Sequence, residues 1–187
     1  MKLRPFFIEQ LPSSLRSTLL EETAGFLVQK SLVAGVDCDY GKSILHLLSL
    51  LLSPDVKKLK VTLCCYYGCR DLESVLCCIK KNGVSLEHLE LARSSLLRMD
   101  PLQFKNVLTS ATRLHSLVVR NICSDAMLKL IGAHSPTLQI LIIANSKQVT
   151  DLGVESLCCR ITVCDRGDED ANQVTYYIVQ GVPKEDD

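Results

Sequence analysis

The chain has 187 residues, enough for one domain or a short repeat array with a cap. Hydrophobic residues make up 47% and charged residues 22%, the balance of a globular protein and not of a disordered one. Lys plus Arg equals Asp plus Glu at 21 each, so the basic excess of a nucleic-acid surface is missing, and the same balance argues against a membrane-surface partner.

Taken in chain order, residues 1–55 do not repeat later. Residues 1–10 carry Lys2 and Arg4 but lack the long apolar core of a signal peptide. Leu11-Pro12 opens a helical pattern with Leu15, Leu19, Phe26 and Leu27 in stripe positions. Residues 43–53 read as a second apolar helix, stopped by Pro54. Its most apolar run, residues 44–52, is well short of the about 20 residues a membrane span needs. Gly41-Lys42-Ser43 before this helix invites a phosphate-loop reading. That loop would need a glycine where Val36 stands, and the available Gly35 makes it one residue too long. No cofactor is expected, and the chain is read as cytoplasmic or nuclear.

Four later segments align: Val56-Lys-Lys-Leu59-Lys-Val61, Leu86-Glu-His-Leu89-Glu-Leu91, Leu114-His-Ser-Leu117-Val-Val119 and Leu138-Gln-Ile-Leu141-Ile-Ile143. Each is apolar at positions 1, 4 and 6, and successive starts lie 30, 28 and 24 residues apart. Positions 4 and 6 alternate, so both point to one face of a short strand. A helix pattern follows each strand. Leu72, Val75, Leu76 and Ile79 form one stripe, ended by Asn82-Gly83. Asp100-Pro101 is a cap and first-turn pair ahead of Phe104, Val107, Leu108 and Ala111. Ser124 or Asp125 caps a helix with Leu128 and Ile131, and Thr150 precedes residues 151–157. A period of this size with one strand and one helix per unit predicts an α/β leucine-rich-repeat solenoid of about four repeats over residues 56–159, with residues 1–55 as an N-terminal helical cap.

Residues 160–187 break the pattern. Residues 161–163 and 174–179 read as a pair of strands, joined by the acidic connector 165–170 and followed by a polar, partly disordered tail. Either the second strand pairs with the open edge of the array and caps it, or the segment marks a truncated product of a longer repeat protein.

The ten cysteines show no C-x2-C pair, so they read as small apolar fillers and not as metal ligands. The four histidines, His46, His88, His115 and His134, fall in different units without a recurring acid or nucleophile, so no catalytic residue and no enzyme activity is expected.

The stretch 138–159, with Gln148-Val-Thr-Asp-Leu-Gly-Val-Glu-Ser-Leu157, resembles the cysteine-containing leucine-rich repeats of F-box/LRR proteins. Residues 124–138 resemble the preceding unit, although Ser110-Ala111 and Ser135-Pro136 stand where that family carries Cys-Pro. The resemblance implies a horseshoe scaffold, often the substrate-recognition arm of an SCF-type (cullin) ubiquitin ligase acting in protein ubiquitination. Such an arm would meet a Skp-type linker and the cullin through residues 9–52. Leu11-Pro12 to Leu20 is similar to the start of an F-box, but the chain lacks that motif's late tryptophan. A plain interaction scaffold without ligase attachment stays open beside this reading.

In either case the target protein is expected on the concave strand face. Its outward positions are Lys58, Lys60 and Thr62, then His88, Glu90 and Ala92, then Ser116, Val118 and Arg120, and last Ile140, Ile142 and Ala144. The face runs from basic to apolar. Ile140, Ile142 and Val118 form the expected hydrophobic centre, and Arg120, Glu90 and Lys60 its polar rim.

Overall fold

A computed structural model describes residues 3–30, 38–63, 70–93, 99–161 and 176–180. Three helices come first: α1 (Leu3–Gln10), α2 (Ser13–Lys30) and α3 (Cys38–Leu51). Strands and helices then alternate as β1 (Lys58–Leu63), α4 (Arg70–Asn82), β2 (His88–Arg93), α5 (Pro101–Ser110), β3 (Ser116–Arg120), α6 (Asp125–His134), β4 (Ile140–Ala144), α7 (Asp151–Ile161) and β5 (Tyr176–Gln180). The fold is α/β. The strands form one parallel sheet in the order β1-β2-β3-β4-β5, so neighbours in sequence are neighbours in space. Parallel strands need a crossover, and each of α4, α5 and α6 lies in one.

The register places Leu59, Leu89, Leu117 and Leu141 side by side on adjacent strands, and Val61, Leu91, Val119 and Ile143 in a second row. All eight are buried. Val75, Leu76 and Ile79 of α4, Phe104, Val107 and Leu108 of α5, Leu128 and Ile131 of α6, and Leu157 of α7 join them in one continuous core. Asp100 caps α5 by accepting the Leu102 amide at 3.0 Å, with Pro101 in the first turn.

The same backbone turn opens each unit. Val56, Leu86, Leu114 and Leu138 donate their amides to the carbonyls of Ser53, Gly83, Ala111 and Ser135 at 3.0–3.2 Å. The carbonyls of Lys57, Glu87 and His115 then each accept two successive amides from the following unit, at 2.8 or 2.9 Å. The second of these turns needs a glycine. A Cβ on Gly83 would sit 2.7 Å from the Ile79 carbonyl oxygen and 2.9 Å from Leu86. Units of different length thus share one set of junction contacts, and the length differences fall in the strand-to-helix connectors and in α4, which is three residues longer than α5 or α6.

The N-terminal helices are tied to this array. Helix α2 packs on α3 and on β1, α1 packs on α3, and α3 packs on α4. Leu20, Ile44, Leu48, Leu51 and Leu52 belong to the same core as the strands. Arg16 is buried, and its guanidinium donates to the carbonyls of Phe7 and Ile8 and to the Asp55 carboxylate. Ser53 Oγ donates to the other Asp55 oxygen at 2.5 Å, and Arg4 reaches the Leu52 carbonyl at 3.1 Å. This polar tie joins α1 and α2 to the segment that enters β1.

Several sequence expectations need correction. Helix α1 was not foreseen; Pro5 sits in its first turn, where a missing amide costs nothing. Helix α3 starts at Cys38, so Gly41-Lys42-Ser43 is helical and forms no phosphate-wrapping loop. Ile161 closes α7 and so does not begin the first expected strand. Residues 152–161 continue the helix. Residues 162–163 and the connector 165–170 lie outside the described residues. Residues 176–179 of the second expected strand lie in β5, which pairs in parallel with β4; residues 174–175 lie outside the described residues. Among the described residues no helix is long and apolar enough to cross a membrane.

Candidate interaction face

In β1 to β4 the even-numbered residues point away from the α4–α7 layer, because side chains alternate and the odd-numbered ones fill the core. Lys58 and Lys60 are exposed, Ile140 is 38% exposed, and His88, Glu90, Ser116, Val118, Arg120 and Ile142 are half-buried. The register groups them into rows across the sheet: Lys58–His88–Ser116–Ile140, Lys60–Glu90–Val118–Ile142 and Thr62–Ala92–Arg120–Ala144. The eight residues read from the sequence as a binding surface therefore share one face. The third row departs from its expected openness. Ala92 and Ala144 are buried, and both flank the longer Arg120 in register.

Charge on this face is unevenly satisfied. Glu90 Oε1 accepts from Arg120 Nε at 3.0 Å and lies 3.4 Å from Lys60 Nζ. One carboxylate thus serves two cations on the strands either side of it. Lys58 adds a further positive charge on β1. The polar rim expected from sequence is therefore a connected cluster, and Glu90 is its hub.

Helix α2 contributes a wall that the strand pattern alone does not show. Leu20 and Glu21 stand over the β1 end of the face and, with Lys58, Lys60, His88, Glu90, Ser116 and Val118, enclose a cleft of about 240 Å³. The β4 end is different. It is aliphatic, and β5 continues the sheet beyond it, with Tyr176 and Ile178 as the register partners of Ile140 and Ile142.

A second inter-unit contact also escaped the sequence reading. Asp125, at the start of α6, accepts the Thr150 amide at 2.8 Å and the Thr150 hydroxyl at 2.7 Å. It ties the first turn of α7 to the unit before it. The Asp-x-x-x pattern at a helix start suggests only a local cap, so the partner 25 residues on was hidden.

The chemistry of the remaining reactive groups is subdued. Cys123 is buried, and desolvation pushes its thiol up to about 12, far from the thiolate a nucleophile needs. Burial raises Cys78 as well. Cys77 is exposed, unlike the packed fillers expected. His115 Nδ1 contacts the Arg113 carbonyl at 2.6 Å in the turn before β3. Among the described residues no group of three or more His, Cys, Asp or Glu side chains is gathered to hold a metal. No family model matches the chain, and neither does any curated protein or solved structure.

Proposed function

We propose that the chain is a leucine-rich-repeat solenoid of the F-box/LRR-like kind that binds another protein through the open face of its sheet, without catalysing a reaction. The observation that carries this reading is the composition of that face. Ile140 stays 38% exposed next to Val118 and Ile142, while Lys58, Lys60 and the Glu90–Arg120 pair supply charge on the same face. Apolar side chains held on rigid strands and rimmed by ions are what a protein partner buries. The recurring junction hydrogen bonds and the sequential parallel order support the solenoid part of the proposal.

The test is a double substitution, Ile140→Asp with Ile142→Asp, compared with the parent chain by affinity purification from the source cells. Partners captured by the parent should be lost, while melting temperature and far-UV circular dichroism stay the same. Retention of every partner would remove the open face as the binding surface, and unfolding would reclassify the two isoleucines as core.

A second reading, attachment to a cullin-type ligase, is favoured by one observation. Leu3, Phe6, Leu15 and Leu47 are large, exposed and all on α1–α3, within or beside the residues 9–52 that an F-box would occupy. A Skp-type linker would cover such side chains. Co-purification of the linker with the full chain, lost on Leu15→Asp with Leu47→Asp, would support the adaptor role; a clean failure would leave a plain scaffold.

A further inference from the structure

We infer that α1 is a releasable lid: it undocks and unwinds as one unit while α2 and α3 stay folded, and Arg16 is the latch that holds it shut. Of the three N-terminal helices α1 is held least by burial. It has eight residues and none of them is buried, whereas α2 buries Leu20, Thr23 and Ala24 and α3 buries Ile44, Leu48, Leu50 and Leu51. Within α1 only Phe7 packs against the shared core, and it is half-buried. A helix this short is marginal by itself in water, so once it leaves α3 it unwinds.

Polar contacts do most of the holding. The last carbonyls of a helix have no partner within it. Arg16 of α2 supplies two of those in α1: its Nη1 donates to the Phe7 carbonyl at 3.3 Å and to that of Ile8, and its Nη2 donates to the Asp55 carboxylate. Arg4 reaches from α1 to the Leu52 carbonyl at 3.1 Å. Both arginines are incompletely served. Their Nε atoms are buried without a hydrogen-bond partner, and among the described residues Ser135 Oγ is the only other such side-chain atom. A buried donor left unpaired costs free energy that contact with water returns. Opening α1 lets water reach both Nε groups, which offsets part of the loss of the latch bonds. The closed state is therefore held by a small margin, the condition for a segment that opens on its own. Arg16 keeps Asp55 when α1 leaves, so α2 stays tied to the array. Undocking also changes the surface beside α1. Arg4 lines an open groove of about 820 Å³ whose other residues belong to α3, α4 and α5, among them His46, Cys77 and Cys78. Without α1 the groove loses that side, and Cys78, now 8% exposed, becomes reachable.

The experiment follows hydrogen exchange and iodoacetamide labelling of the full chain at neutral pH by mass spectrometry. Exposed Cys77 is changed to serine in the labelling arm, so that the thiol next to Cys78 does not react. In the parent chain the amides of α1 should be protected at least about tenfold less than those of α2 and α3. Phe7→Ala removes the one apolar anchor and should quicken α1 about tenfold more. It should also speed the labelling of Cys78, while exchange in β2 and β3 and the labelling of buried Cys123 stay the same. Arg16→Lys keeps a charge for Asp55 but loses the fork that reaches two carbonyls, and it should act in the same direction. If Arg16→Lys loosens the whole cap, Phe7→Ala still decides. Exchange of α1 at the rate of α2 and α3 in the parent would overturn the lid. So would equal quickening of all three helices by Phe7→Ala, or faster α1 exchange with no change at Cys78.

Discussion

The two faces of the sheet are built from the same strands and obey different rules. On the inner face the rows read Leu59–Leu89–Leu117–Leu141 and Val61–Leu91–Val119–Ile143, aliphatic throughout. On the outer face neighbouring positions change character at every strand, from Lys58 to His88 to Ser116 to Ile140. The inner rows must fill one shared space against the helices, so volume and polarity are dictated position by position. Among the described residues the outer rows meet no other layer except α2 at one end, so packing constrains their composition less. On the function proposed above, stability is written on one face and recognition on the other.

This contrast can be broken first by cutting into the inner face. Leu117 is fully buried in the middle of its row, and Leu117→Ala should cost about 2–5 kcal/mol through lost transfer energy and the cavity left behind. Urea denaturation would report it as a lowered midpoint at constant slope. A cost under about 1 kcal/mol would mean that the rows are not a single packed core.

The junctions between units come next. A Cβ on Gly153 would fall 2.1 Å from Asp125 Oδ1 and 3.0 Å from its Cα, so Gly153→Ala must push Asp125 off Thr150. The expected loss is about 1–3 kcal/mol. In a double-mutant cycle with Asp125→Ala the two effects should be clearly less than additive, because the first change already removes what the second deletes.

The tie between the helical cap and the array should be sensitive to acid. The Ser53 hydroxyl, with the Arg16 guanidinium beside it, holds the Asp55 carboxyl below its ordinary value of 3.8. Asp55 therefore contributes stability that is fully present above pH 3.8 and fades as pH falls through its lowered native value. Hydrogen exchange on α1 and α2 should quicken over that window more than exchange on β2 and β3, and Asp55→Asn should abolish the difference. Equal quickening in all elements would show that the cap is not released separately. Smallest of all should be the outer-face changes: Lys58→Glu and the double isoleucine variant should move stability by no more than about 0.5 kcal/mol.

Much of the candidate site was legible in the sequence because alternation is a strictly local property of a strand. Once Leu59 and Val61 are assigned inward, Lys58 and Lys60 must point outward, and the same holds for His88, Glu90, Val118, Arg120, Ile140 and Ile142. The joining of Lys60, Glu90 and Arg120 into one cluster was not legible. It depends on three strands meeting in a particular register, and charges 30 residues apart carry no sign of their partner. The third row shows the same limit, since the outward alternation of Ala92 and Ala144 does not reveal that both are buried.

By itself the sequence determined the strand and helix elements between Val56 and Leu157, the face of β1 to β4 that goes inward, and the cap that starts α5, because periodicity, small side chains and proline act over a few residues. Only the tertiary structure decided that α2 stands over β1 and closes a cleft, that Arg16 ties the cap to Asp55, that Asp125 holds Thr150, and that β5 continues the sheet past β4. These contacts join residues far apart along the chain. Their energies exist only after the chain has folded and brought the two partners within hydrogen-bonding or packing distance.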